Sequence, residues 1–84
     1  MGIVLPYAIV LIKTDVGTER DVLKKLMNVE GVVEAYEVYG MYDIVAKIFA
    51  DSYEKLRETV MKDIRSIKEI QETTTMIVVE TVKK

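Results

Sequence analysis

The chain repeats itself, and the repeat limits its fold more tightly than any other feature. At a constant offset of 38 positions, Val10 matches Ile48, Leu11 matches Phe49, Val22 matches Val60, Leu26 matches Ile64, Val29 matches Ile67 and Val32 matches Ile70. Each half reads as strand, helix, strand. The run Val4–Lys13 is rich in branched residues, with Pro6 near its start, where a missing N–H is tolerated. Thr14-Asp15-Val16-Gly17 reads as a turn, and Thr18 as a helix N-cap with Asp21 as its capping-box partner. The helix that follows places Val22, Leu23, Leu26 and Met27 on one face. It is expected to end over 28–30, with Gly31 taking a left-handed exit. A second strand is expected over Val32–Tyr39 and a third over Asp43–Ala50, joined by a tight Gly40-Met41-Tyr42 connection. Asp51 or Ser52 then caps a second helix with Tyr53, Leu56, Val60 and Ile64 on one face. The last strand is expected over Ile70–Thr81, followed by a short tail.

Two strand–helix–strand halves in one domain, residues 1–84, give βαββαβ, the ferredoxin-like α+β arrangement. Right-handed crossovers put both helices on one face of a four-stranded antiparallel sheet. The expected strand order is 4-1-3-2. The other sheet face then has no cover, and in a monomer it should be polar. It is not. Tyr7, Ile9 and Leu11 point one way along the first strand, while Ala8, Val10 and Ile12 point the other. Met76 and Val78 oppose Ile77 and Val79 in the last strand. Half of the 84 residues are apolar, more than one small core readily hides. An apolar face of this size is an association site. The expectation is a homodimer with its open sheet faces packed together as a dimeric α+β barrel.

Composition removes several functional classes. No Cys and no His are present, so the chain has no thiolate nucleophile, no Cys-ligated metal and no histidine base. A formal charge of −2 gives no basic footprint for nucleic acid or an anionic membrane. The apolar runs are too short to span a bilayer, and the N-terminus lacks a signal-peptide pattern. The reading is a soluble cytoplasmic domain.

Four constellations carry possible chemistry. In Tyr39-Gly40-Met41-Tyr42-Asp43, Gly40 permits close backbone approach, and Asp43 sets a carboxylate beside the N–H groups of the turn. That pairing suits a zwitterion, with the carboxylate on N–H groups and the ammonium on Asp43. It equally suits a plain hairpin turn in which Asp43 caps local backbone. In Thr73-Thr74-Thr75, Thr73 and Thr75 share a face and offer two hydroxyls, although threonine is also an ordinary strand residue. Glu34, Glu37 and Glu72 read as a solvated rim rather than an acid–base pair or cation site. The Thr14–Thr18 loop at a helix N-terminus favours anions, but it lacks the arginine that an acylphosphatase-like enzyme needs there.

Three segments taken together resemble one family. They are Gly31-Val32-Val33-Glu34-Ala35-Tyr36, Val38-Tyr39-Gly40-Met41-Tyr42-Asp43-Ile44-Val45-Ala46-Lys47, and Ile67-Lys68-Glu69-Ile70-Gln71-Glu72-Thr73-Thr74-Thr75-Met76-Ile77-Val78. They resemble the effector-binding domain of the Lrp/AsnC, or feast/famine, transcription regulators, also called the RAM domain. The resemblance runs from Pro6 to Lys83. Full-length members carry an N-terminal helix-turn-helix domain, whereas this chain reaches its first strand within a few residues, so it resembles the stand-alone form. The resemblance implies dimers that assemble further, typically to an octamer, with small effectors such as amino acids held between dimers. It also implies mixed assembly with full-length Lrp/AsnC regulators and no direct contact with nucleic acid. Gly40, Tyr42 and Asp43 match the loop at the ligand's charged ends, and Thr73 and Thr75 match the strand that supplies hydroxyls. Tyr39 and Met41 lie nearby and shape specificity. Tyr39 stands where many of these regulators have Thr, so the identity of the ligand does not transfer.

The reading that results is an amino-acid-binding, oligomerising regulatory module, not an enzyme, with no metal and no cofactor. Two alternatives stand beside it: a purely structural oligomerisation module without ligand, and a small ferredoxin-like enzyme.

Overall fold

The computed structural model describes residues 6–84. The elements, in chain order, are β1 (Tyr7–Thr14), α1 (Glu19–Leu26), β2 (Val32–Glu37), β3 (Ile44–Phe49), α2 (Tyr53–Glu58, continued by a π-helical segment Thr59–Ile64) and β4 (Ile70–Ile77). All strand pairs are antiparallel, and the sheet runs β2-β3-β1-β4, the expected order read from its other edge. The first part of the run expected over Val4–Lys13 lies outside the described residues.

The alternation in the central strands decides which face the helices cover. In β1, Ala8, Val10, Ile12 and Thr14 are buried, and in β3, Ile44, Ala46 and Ile48 are buried. Val22 and Leu26 of α1 and Leu56, Val60 and Ile64 of the second helical segment complete this core. The inward residues of that segment recur every fourth position, slightly longer than an α-helical turn. Its widened π stretch, closed by Arg65 N donating to Val60 O at 3.1 Å, matches that spacing and keeps Ile64 turned inward.

Three local expectations are corrected. Thr18 makes no capping box: its hydroxyl donates to Asp15 O at 2.7 Å instead, because its backbone lies away from the extended conformation that aims a cap at the helix N–H groups. Of the two caps offered for α2, Ser52 is the one used, its Oγ accepting from Lys55 N at 3.0 Å. Met27 and Tyr53, expected on the inward helix faces, are exposed, Met27 as the C-cap of α1 and Tyr53 as the first residue of α2. Strands β2 and β4 are shorter than expected, ending at Glu37 and Ile77.

Gly31 carries the exit from α1 into β2. Its φ is +98°, and an added Cβ would lie 2.7 Å from Phe49 O. Phe49 N in turn donates to Gly31 O at 2.8 Å, so the two backbones are drawn too close for a side chain.

The second sheet face carries no helix. Register places Tyr36, Val45, Leu11 and Thr74 on one row of it, and Ile9 and Met76 on a neighbouring row. Tyr7 and Phe49 stack at 4.8 Å between centroids, and the Lys47 ammonium lies 5.0 Å from the Tyr7 ring. Charges also lie on this face as cross-strand neighbours: Glu34 opposite Lys47, in the row of Ile9 and Met76, and Glu72 opposite Lys13 nearer the end of β1. Among the described residues, no three acidic side chains converge on a metal-binding position. The apolar, uncovered face inferred from the strand alternation is therefore present, with β1 along its middle.

Candidate functional site

The segment between β2 and β3 is a loop over 38–43, closed by Val38 N donating to Asp43 O at 2.9 Å. Gly40 turns the chain with φ +152°. The loop is pinned to β1 by Asp43. Asp43 N donates to Ile12 O at 2.9 Å, and its carboxylate Oδ2 accepts from Thr14 N at 2.9 Å. The second contact gives a β1 N–H a partner where the β1–β4 register shifts between Lys13 and Thr14. Asp43 thus does what a local cap does, and this contact fixes its carboxylate at the end of the sheet.

Tyr39 and Met41 project from the loop into solvent, at 105% and 83% exposure. Glu37, Val38 and Tyr39 border a shallow hollow of about 300 Å³ beside the loop.

Thr73 comes to the same end of the sheet, and Thr75 lies nearer its middle, opposite Val10. Ile12 of β1 pairs with Ile44 on one side and Thr73 on the other. Thr73 therefore lies two strand spacings, about 10 Å, from the residue that follows Asp43. Thr73 and Thr75 share a face, as the alternation indicated, and their pairing with buried Ile12 and Val10 turns it toward the helix layer. Thr75 opens into an apolar groove of about 360 Å³ between β4 and the second helical segment, with Tyr53, Leu56, Val60, Met61, Ile77 and the lone cation Arg57 along it.

Thr74 faces the opposite way, onto the open sheet. Its hydroxyl is hydrogen-bonded to the Tyr42 hydroxyl at 2.9 Å. Nothing in the sequence pattern signals this partner of Thr74, which lies 32 positions away. Thr14, whose backbone clamps Asp43, was also missed as a contributor. Its hydroxyl is buried and has no hydrogen-bond partner among the described residues.

One chain therefore brings the loop, Asp43 and Thr73 to one end of the sheet without enclosing a cavity among them, and leaves Thr75 at mid-strand opposite Val10. The loop's outward side chains and the groove beside Thr75 open in different directions. Electrostatic perturbation lies elsewhere. The Lys25 ammonium, 2.8 Å from Glu69, lowers that carboxyl below its ordinary value, and the neighbouring Glu34 carboxylate raises the Tyr36 phenol.

Comparison with known proteins follows this geometry. The family model described as the Lrp/AsnC ligand binding domain matches residues 7–84. The HTH-type transcriptional regulator FL11 of Pyrococcus abyssi is 38% identical over 77 residues, covering 92% of this chain and 50% of the regulator. Among solved structures, FFRP-DM1 superposes with a TM-score of 0.84 at 40% identity, covering 88% of this chain and 99% of that one. AsnC of Escherichia coli superposes with a TM-score of 0.87 at 29% identity, covering 94% of this chain and 54% of AsnC. The chain spans about half the length of the curated regulators it matches.

Proposed function

The chain belongs to the Lrp/AsnC ligand-binding-domain family, and from that premise we propose that it is an amino-acid-sensing assembly module of a transcription regulator. The observation that carries the reading is the convergence of Asp43 and its loop with Thr73 at one end of the sheet, short of an enclosed pocket, with Thr75 two residues further along β4. A site left open in one chain is completed by another. Gly40, Tyr42 and Asp43 hold the charged ends of the ligand, with Asp43 on its ammonium. Thr73 and Thr75 supply hydroxyls, and Tyr39 and Met41 close over it.

The open sheet face pairs with that of a second copy, and the dimers assemble further around the ligand sites. Ligand then shifts the assembly equilibrium by its differential affinity for the assembled form. The chain acts on transcription through mixed assembly with full-length relatives, works in the cytoplasm and catalyses nothing. Among the described residues, no helix is long and apolar enough to cross a membrane.

Calorimetry against the standard amino acids, on protein whose oligomeric state has first been fixed by light scattering, tests the reading. Saturable binding by one amino acid or a related group is the expected result. A verified oligomer that binds none of them returns the chain to a purely structural assembly role.

A further inference from the structure

The Tyr42–Thr74 hydrogen bond joins two parts of the molecule that the proposed function keeps separate. Tyr42 belongs to the loop that also holds Gly40 and Asp43, and Thr74 lies on the uncovered sheet face opposite Leu11. Strand β1 runs between β3 and β4, so the Tyr42 side chain must cross β1 on that face to reach Thr74. It does so beside Lys13, whose Nζ lies 6.0 Å from the ring centroid. The neighbouring Asp43 is tied to β1 through Ile12 O and Thr14 N. The loop is therefore fastened twice, once at the sheet's end and once on its open face.

We propose that Tyr42 and Thr74 form a latch through which pairing of the open sheet faces orders the 38–43 loop, and through which a ligand on that loop strengthens the pairing. The inference rests on the reading of the loop as the effector site and of the face as the dimer surface. The physical cause is solvent. In a single chain the Tyr42–Thr74 bond is exposed and competes with water. A second sheet laid over it removes that competition, and a hydrogen bond in a drier, lower-dielectric setting is stronger. Face pairing thus selects the loop arrangement in which Tyr42 reaches Thr74. Linkage makes the effect reciprocal: whatever stabilises that loop arrangement also stabilises the pair. Thr74 does not touch the ligand in this account. It is a positioning residue that acts through Tyr42.

The test uses Thr74→Val, which keeps the β-branched shape and removes the hydroxyl, with Thr74→Ser as the conservative rescue. Its first part needs no ligand. Hydrogen exchange of the 38–43 segment is measured at protein concentrations below and above the dimerisation midpoint. The wild type and Thr74→Ser are expected to slow at least about fivefold on pairing, the lower end of ordinary coupling. Thr74→Val is expected to change less than about twofold while still forming dimers. Equal slowing in Thr74→Val and wild type, or no slowing in wild-type dimers, overturns the latch.

The second part measures dimer dissociation by sedimentation with and without the amino acid that wild-type protein binds. Tightening of the wild type that disappears in Thr74→Val and returns in Thr74→Ser supports the latch, and equal tightening in all three overturns it. If no standard amino acid binds the wild type, the effector reading fails by itself, and the exchange experiment still decides whether face pairing governs the loop.

Discussion

Asp43 can be separated into its two roles by a pair of substitutions. Its Oδ2 accepts from Thr14 N at 2.9 Å, in a half-buried position at the end of β1. Asp43→Ala removes that acceptor and leaves a β1 N–H unpaired where the register shifts. An unpaired buried donor costs about 1–3 kcal/mol, and partial exposure of the pair sets the expectation near 1.5 kcal/mol. For a domain of this size that is a fall in melting temperature of roughly 6–12 °C. Asp43→Asn keeps a carbonyl oxygen for Thr14 N and removes only the charge, so its stability should stay within about 0.5 kcal/mol of wild type. Ligand binding should not separate the two variants. A charged hydrogen bond to an ammonium is worth about 1.5–3 kcal/mol, so both variants should bind the amino acid roughly 10- to 150-fold more weakly. Urea unfolding at matched protein concentration measures the first effect, and calorimetry the second. If Asp43→Asn binds as wild type does, Asp43 is not the ammonium partner. If Asp43→Ala is as stable as Asp43→Asn, the clamp on Thr14 contributes nothing and the structural half of the argument is wrong.

Three further outcomes are expected. Gly31→Ala meets both a φ of +98° and a Cβ contact of 2.7 Å with Phe49 O, whereas Gly17→Ala meets only a φ of +87° in open space. Gly31→Ala should therefore lose about 1–3 kcal/mol more than Gly17→Ala in urea unfolding, and equal losses would show that the close approach is relaxed at no cost. Leu11→Lys places a charge in the middle of the open face and not in the helix-side core. It should weaken dimerisation by more than about 3 kcal/mol, read by sedimentation, while leaving a folded monomer by circular dichroism. Glu69, lowered by its hydrogen bond with Lys25, contributes stability that is fully present above a glutamate's ordinary value of 4.5 and is lost as pH falls through its lower folded value. The stability difference between wild type and Lys25→Met should shrink as pH drops from about 5 to 3, and a constant difference would assign the effect to packing rather than charge.

Much of this protein is written locally. The paired periodicities around Val22 and Leu26, and around Leu56, Val60 and Ile64, fix two helices and the sides they bury, because a helix must hide one stripe. The two-residue alternation of β1 and β3 fixes the sheet faces, because successive side chains point to opposite sides. The internal repeat adds the topology, and Gly31 and Gly40 mark turns that only glycine enters easily. The errors are also local in kind. Thr18 and Asp21 have the spacing of a capping box, but spacing does not determine the backbone angles that aim the side chain.

By itself the sequence determined the fold, the uncovered apolar face and the segments that resemble an effector site. Only the tertiary structure decided which of those segments meet. Asp43 reaches Thr14 and Tyr42 reaches Thr74 because β1 is threaded between β3 and β4, bringing residues 29 and 32 positions apart within hydrogen-bond distance. A hydrogen bond needs a separation near 3 Å and a particular direction. Sequence spacing carries that information within one helix or strand, and strand order and register carry it between them.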